Sequence, residues 1–442
     1  MSSQIQIVKE KLKLSISQLC KTSWMFVKNP DRDFTRERKL PLHEIISILL
    51  CMEGGSLTGE LLRYFGCSRY SPSSSAFIQQ RQKINEFAFP ALFSLFVKYS
   101  DEDRLYKGYR LLAADGSDIQ IPTDPKHKDS YFPGTNGQTP YSLLHLDAIY
   151  DLFQHTYLDA EICGRRNSDE RGTLCKMVDR SNVTNALIIA DRGYESYNLM
   201  AHIQEKGWKY LIRIKDIRSS GIASGLELPD TDEFDVYCPI QLTRRRKTET
   251  IPLFANKNNY KWIATSTPFD YLQTGSHKHD PIAFYLLPFR IVRFKLSDSS
   301  YETVITNLDA KEFPPEELKY LYGMRWGIET SFRELKYTVG LLHFHAKKVE
   351  NITQEIYARL IMYNFSELIT SHVVIQNFKR KHPCKANFSV AVQVCRQFLL
   401  GNTSPPDVEA TISKNLSVTR TGRRNPRHTV VKHAVSFLYR VA

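Results

Sequence analysis

No apolar run in the 442-residue sequence is long enough to cross a bilayer. The longest, around Ile45–Met52, is interrupted by Ser47 and falls far short of the ~20 residues a spanning helix needs. The first residues, MSSQIQIVKEKLKLSISQLC, show neither a continuous apolar stretch nor a small-residue cleavage site, so no secretory leader is expected. Eight cysteines are scattered through the chain, with no CxxC pair and none at zinc spacing with histidine. That pattern argues against a zinc module and for reduced thiols in a cytoplasmic protein. A GxxxxGK[ST] loop is also missing, which excludes P-loop ATP hydrolysis by this chain. Acidic residues are in deficit, 47 against 60 Lys and Arg, giving a formal charge of +13. Such an excess points to a polyanionic partner, nucleic acid before a membrane surface. With 42% hydrophobic residues and only 20 each of Gly and Pro, the composition is that of a folded protein with room for two to four structural units.

Five regions differ in texture. Residues 1–105 read as a helical DNA-binding region: Leu40–Tyr64 carries apolar residues at helical spacing, broken at Gly54-Gly55, and a second helix follows the Ser73–Ser75 caps. Its polar stretch AFIQQRQKINEF presents Gln and Arg, suited to major-groove docking, with a solvated bundle face as the alternative. Residues 106–215 alternate short strands with helices, an α/β layout on a mixed sheet. Residues 216–310 form a β-rich insertion, with an Arg244–Lys247 cluster that either grips a nucleic-acid backbone or is simply solvated. Residues 311–380 return to helix, and 381–442 are helical and then basic, with seven Lys/Arg and no acid from Lys414 onward.

Three carboxylates stand out by position. Asp115 and Asp191 each close an apolar, strand-like run (RLLAAD, ALIIAD) and each precedes a glycine-containing stretch read as a turn. Acids at the ends of neighbouring strands can share one hard divalent cation; the alternative is an ordinary turn or N-cap role. Glu329 lies on an expected helix. Taking Tyr322 as zero at 100° per residue, Arg325, Glu329 and Lys336 fall within one 60° stripe along about 21 Å. An acid flanked by Tyr, Arg and Lys suits a metal-bound phosphate chain; an Arg325–Glu329 pair on a solvated face is the alternative. Asp118 reads as a strand-face or turn acid, and His343 and His345 as packing or phosphate-facing residues.

The pattern Tyr322-x2-Arg325-x3-Glu329-x6-Lys336, taken with the DGS and DRGY aspartates, resembles insertion-sequence transposases with a D-D-E triad and a Tyr-Arg-Glu-Lys signature. The likeness runs over most of the chain, and the gaps of 76 and 138 residues between the acids fit that layout. It implies an RNase H-like α/β core with a β-rich insertion and an all-helical N-terminal DNA-binding region. Asp115, Asp191 and Glu329 would hold Mg²⁺ or Mn²⁺, two ions in all, for cleavage and strand transfer at phosphorus. Tyr322, Arg325, Lys336 and Arg192 would contact DNA at the element's ends, with target DNA as the second substrate. A homodimer would form the synaptic complex, working on nucleoid DNA. Trp262 and Tyr301 are candidates to hold a flipped base at a hairpin end. Two other readings stay open: a DNA-binding descendant without catalysis, and a structure-specific nuclease on the same core.

Overall fold

The computed structural model describes residues 2–419 except 37, 135–136, 138, 218, 275–281, 298–299 and 376–381. Most of the acid-free basic tail lies outside the described residues. Five helices lead the chain: α1 (Ser2–Lys21), α2 (Leu42–Cys51), α3 (Leu57–Tyr64), α4 (Ser74–Arg81) and α5 (Ala88–Ser100). The expected helix over Leu40–Tyr64 is two helices parted at Gly54-Gly55, and Ser56 and Ser73 cap α3 and α4 by accepting from backbone N–H groups.

One mixed sheet follows. Its strands are β1 (Arg110–Ile121), β2 (Tyr131–Phe132), β3 (Tyr141–Asp151), β4 (Thr156–Gly164), β5 (Ala186–Ala190), β6 (Lys209–Arg213), β7 (Phe234–Thr243), β8 (Tyr260–Trp262), β9 (Tyr285–Ser297) and β10 (Ser300–Thr306). The helices α6 (Glu170–Arg180) and α7 (Tyr197–Glu205) connect β4 to β5 and β5 to β6. Strands β1, β3 and β4 meander antiparallel, whereas β5 and β6 join β1 in parallel. The order β4-β3-β1-β5-β6 is the mixed core of an RNase H-like fold. The β-rich segment does not stand apart from it: β10 pairs with β6 and β9 with β10, so the inserted strands extend the same sheet.

The chain then closes with α8 (Pro315–Met324), α9 (Trp326–Glu334), a π-helical turn at Leu335–Val339, α10 (Val349–Ser371), α11 (Phe388–Leu400) and α12 (Pro405–Lys414). Helix α10 is buried along most of its length, with paired polar groups such as Glu355 and Arg359 enclosed among its apolar residues. The N-terminal helices share its core, together with one face of β1 and β3. The other sheet face packs under α6 and α7. Among the described residues no helix is long and apolar enough to cross a membrane.

Candidate active site

Strand pleating decides which way each acid points. Leu111 and Ala113 belong to the core on the α9–α10 side of the sheet, while Leu112 and Ala114 belong to the core under α6 and α7. Successive side chains alternate between faces, so Asp115 shares the α9 side. The same alternation on β5, with Leu187 and Ile189 in the first core and Ile188 and Ala190 in the second, carries Asp191 to that side too. Parallel pairing of Ala114 with Ala190 sets the two aspartates at adjacent positions on neighbouring strands.

The structure changes one expectation here. Asp115 does not end its strand: β1 continues through Ile121, paired throughout with β3. Gly116 is therefore not a turn residue. A Cβ at that position would lie 2.5 Å from His145 Nε2, so the glycine marks a close approach, the other meaning of glycine within a strand. Asp191 does open a turn, capping Arg192–Tyr194 by accepting from the Gly193 N–H at 2.7 Å. Arg192 is exposed at that turn, and Arg171 Nε donates to the Gly193 carbonyl at 2.7 Å, fixing it from α6.

The expected single helix over Tyr322–Lys336 is broken. Helix α8 ends at Met324 and α9 begins at Trp326, with three-residue bonds from Arg325 N–H to Tyr322 O and from Ile328 N–H to Arg325 O. Beyond Glu334 the chain widens into the π turn that carries Lys336. The even 60° stripe is thereby lost. Tyr322 and Arg325 are buried, Glu329 is 38% exposed, and Lys336 Nζ donates to the Asp118 carbonyl at 2.8 Å.

What replaces the stripe is a bridge. The Arg325 guanidinium, 6% exposed, pairs with Glu329 and reaches Asp115 Oδ2 at 3.6 Å. The i,i+4 pair considered as an ordinary surface contact is thus made inside the site. Tyr322 and Trp326 flank the guanidinium, with ring centres 5.8 and 5.3 Å away. Burial pushes the Asp115 carboxyl up to about 6; Arg325 and the Gly116 N–H oppose that, and the charges of Asp191 and Glu329 add to it. Two carboxylates therefore share one buried arginine, with the charge of Asp191 close enough to act on Asp115.

This donor set, three carboxylates and no sulfur or imidazole, fits a hard divalent cation. The side chains as they stand do not form a finished cage. Among the described residues no three acidic, histidine or cysteine side chains are grouped to hold an ion, and Arg325 supplies the positive charge between Asp115 and Glu329.

Other expectations separate cleanly. Arg81 of α4 faces inward, not toward solvent, and pairs with Glu355 at 2.7 Å. Arg244 donates to the carbonyls of Ala264, Thr267, Phe269 and Leu272, so it builds the insertion's loop and does not project from it. Trp262 and Tyr301 each lie against an arginine, Arg246 and Arg293. His345 packs between Glu60 and Glu355, and the His343 ring lies under Gly54.

Sequence reasoning passed over one cluster. Behind Gly116, on the α6 side of the sheet, His145 contacts Asp118, Asp147 and Glu170. The signal was two polar residues, His145 and Asp147, placed two apart in an otherwise apolar strand, where alternation puts both on one buried face.

With this geometry in hand, comparison with known proteins decides the family. The family described as "Transposase DDE domain" matches residues 106–365. This chain belongs to that family. The transposase InsG for insertion sequence element IS4 of Escherichia coli (strain K12) is 23% identical over 335 residues, 74% of this chain and 65% of that protein. The transposase for insertion sequence element IS1151 of Clostridium perfringens is 22% identical over 335 residues, 68% of each chain. This chain thus spans about two thirds of the length of the curated relatives it matches. A solved piggyBac transposase synaptic complex with hairpin DNA is 11% identical, covering 86% of this chain and 76% of that one at a TM-score of 0.43, a likeness too distant to argue from.

Proposed function

We propose that this chain is the transposase of an insertion sequence, cutting DNA at the element's ends and joining those ends to target DNA. The observation that supports the reading is that Arg325 links Asp115 to Glu329, with Asp191 at the adjacent position on the neighbouring strand, inside a matched DDE domain. Asp115, Asp191 and Glu329 would hold the divalent metal, Mg²⁺ or Mn²⁺ and two ions in all. When bound, the metal activates the attacking water or 3′-hydroxyl and stabilises the leaving oxygen.

The chain's own residues do the rest. The strand pair β1–β5 fixes two carboxylates on rigid backbone, and α9 brings the third across the sheet face. Arg325 neutralises the acids while the site is empty of other cations and is placed to meet a phosphate when they are satisfied elsewhere. Tyr322 and Trp326 hold its plane. Arg192, exposed beside Asp191, and Lys336 on the π turn flank the acids as backbone contacts. Two copies act together at paired ends on nucleoid DNA in the bacterial cytoplasm.

The test uses a supercoiled plasmid carrying the gene with its flanking DNA. Purified protein and Mg²⁺ should cut at inverted repeats bordering the reading frame and join the ends to a second plasmid, and chelation should abolish both. Binding to those flanks with no cutting in either Mg²⁺ or Mn²⁺ would contradict the proposal and favour the non-catalytic descendant.

A further inference from the structure

Directly behind the strand that carries Asp115 lies a second set of charges. His145 on β3 is buried, and its Nδ1 lies 2.6 Å from Asp118 Oδ1 on β1. Its Nε2 lies 3.3 Å from both Asp147 Oδ1 on β3 and Glu170 Oε1 on α6. Arg165, in the turn between β4 and α6, reaches the same Asp118 oxygen at 2.9 Å. Three acids from three elements therefore converge on one imidazole, with a single arginine at the edge.

Two details tie this cluster to the site in front of it. Gly116, next to Asp115, has no side chain because the His145 ring occupies that space, so ring and backbone are in contact. Glu170 Oε2 would lie 3.7 Å from a Cβ on Gly193, within the turn that Asp191 caps. The cluster thus presses on the backbone beside Asp115 and lies near the turn that Asp191 caps. Asp147 is almost wholly buried, and neither of its oxygens accepts a hydrogen bond. Only the charge of His145, and more distantly that of Arg165, compensates it. Burial opposes a charged imidazole, but Asp118, Asp147 and Glu170 outweigh it and hold the ring protonated up to about 11.

We infer that His145 is a positioning residue for the DNA-cutting site. Its charge neutralises the acids behind β1, and its ring, pressed on Gly116, sets the strand so that Asp115 is aimed at Asp191 and Glu329. The inference rests on the assignment of those three acids as the metal-holding set. It adds that a buried cation on the opposite face sets their geometry, without itself touching DNA or metal.

The role follows from charge balance. Buried Asp147 and the more exposed Asp118 and Glu170 share one imidazolium and one arginine, a net deficit of one positive charge. Removing the imidazolium leaves Asp147 buried and uncompensated, which is costly, and the cheapest relief is for β1 and α6 to move apart. That motion displaces Asp115 and the Asp191 turn together.

The experiment is a double-mutant cycle on the full chain, with His145→Gln, Asp147→Asn and both together, read by Mg²⁺-dependent nicking of the flank-bearing plasmid and by melting temperature. His145→Gln should lose at least tenfold in nicking rate at saturating Mg²⁺ and should melt lower. Adding Asp147→Asn removes the stranded acid, so the double variant should melt above the single and recover to within about threefold of the parent rate. A residue that merely filled space would give no such rescue. Nicking by His145→Gln within twofold of the parent overturns the inference. So does a double variant that nicks no faster, or melts no higher, than the single. If His145→Gln is too unstable to assay, the double variant alone decides by folding and nicking or failing to. Asp115→Asn serves as the separate control: if it still nicks, the assignment of the metal-holding acids fails, whatever His145 does.

Discussion

Two acids in this molecule, one buried and one half-buried, are treated in opposite ways. Glu355 on α10 is almost wholly enclosed; Arg81 pairs with it at 2.7 Å, and the His345 N–H donates to it at 3.0 Å. Burial pushes its carboxyl up, but Arg81, His345 and Arg359 outweigh that and hold it down at about 2. Asp115 on β1 has one arginine at 3.6 Å, shared with Glu329, and burial with two further acids nearby lifts it to about 6. Both groups sit in a folded interior. What differs is which sign is in excess around them. The Arg81–Glu355 network joins the N-terminal helices to α10 with its charges matched, whereas the site in front of β1 gathers more acid than base. A matched set supports the fold, and an unmatched one is the kind of arrangement found at functional sites.

Breaking each set should have opposite consequences. The largest effect is expected for Asp115→Asn, which should cut Mg²⁺-dependent nicking by about a thousandfold or more, several kcal/mol of lost charge stabilisation. The same change should leave the melting temperature unchanged or raise it. The sign follows from the raised pKa: a carboxyl whose folded value lies above its unfolded one stabilises only below the unfolded pKa and costs stability once pH has risen through about 6. A lower melting temperature at pH 7.5 would count against the charge excess. Arg81→Ala should do the reverse, costing about 3–5 kcal/mol of folding stability because it strands Glu355, measurable by denaturant titration. A loss under 1 kcal/mol would mean the network is not what joins those helices.

Acid should discriminate the two sets as well. Glu355 is depressed from the usual carboxylate value to about 2, so its contribution is fully present above about pH 4.5 and disappears as pH falls toward 2. Stability followed from pH 5 to pH 2 should drop more steeply in the parent than in Glu355→Gln; parallel curves would contradict the pairing. The smallest effect is expected at Lys336. Its replacement by Ala should weaken DNA binding modestly and reduce the slope of log affinity against log salt by about 0.9, one phosphate's worth. An unchanged slope would remove Lys336 from the DNA contacts.

The candidate acids stood out because strand, aspartate and glycine stand together in the chain, and because Tyr322, Arg325, Glu329 and Lys336 keep a recognisable spacing. Their surroundings were less so. Helical periodicity assumes one unbroken helix, but the chain tightens at Arg325 and widens after Glu334, and a uniform 100° step cannot anticipate either. Gly116 was misread because glycine weakens strands in general, while here a ring from the next strand demands it. Arg81 was taken as a polar helix face because its partner lies 274 residues away on α10. The cluster around His145 joins three elements, and beyond the His145–Asp147 spacing on β3 its partners Asp118 and Glu170 follow only from the packing of β1 and α6.

The central claim is that Asp115, Asp191 and Glu329 together hold the metal. Calorimetric titration of Mn²⁺ into the parent protein and into Asp115→Asn, Asp191→Asn and Glu329→Gln tests it most directly. The account predicts saturable binding by the parent, weakened at least tenfold by each substitution while affinity for the flanking DNA in the absence of metal persists. Binding of Mn²⁺ that is equally tight in all four proteins would contradict it.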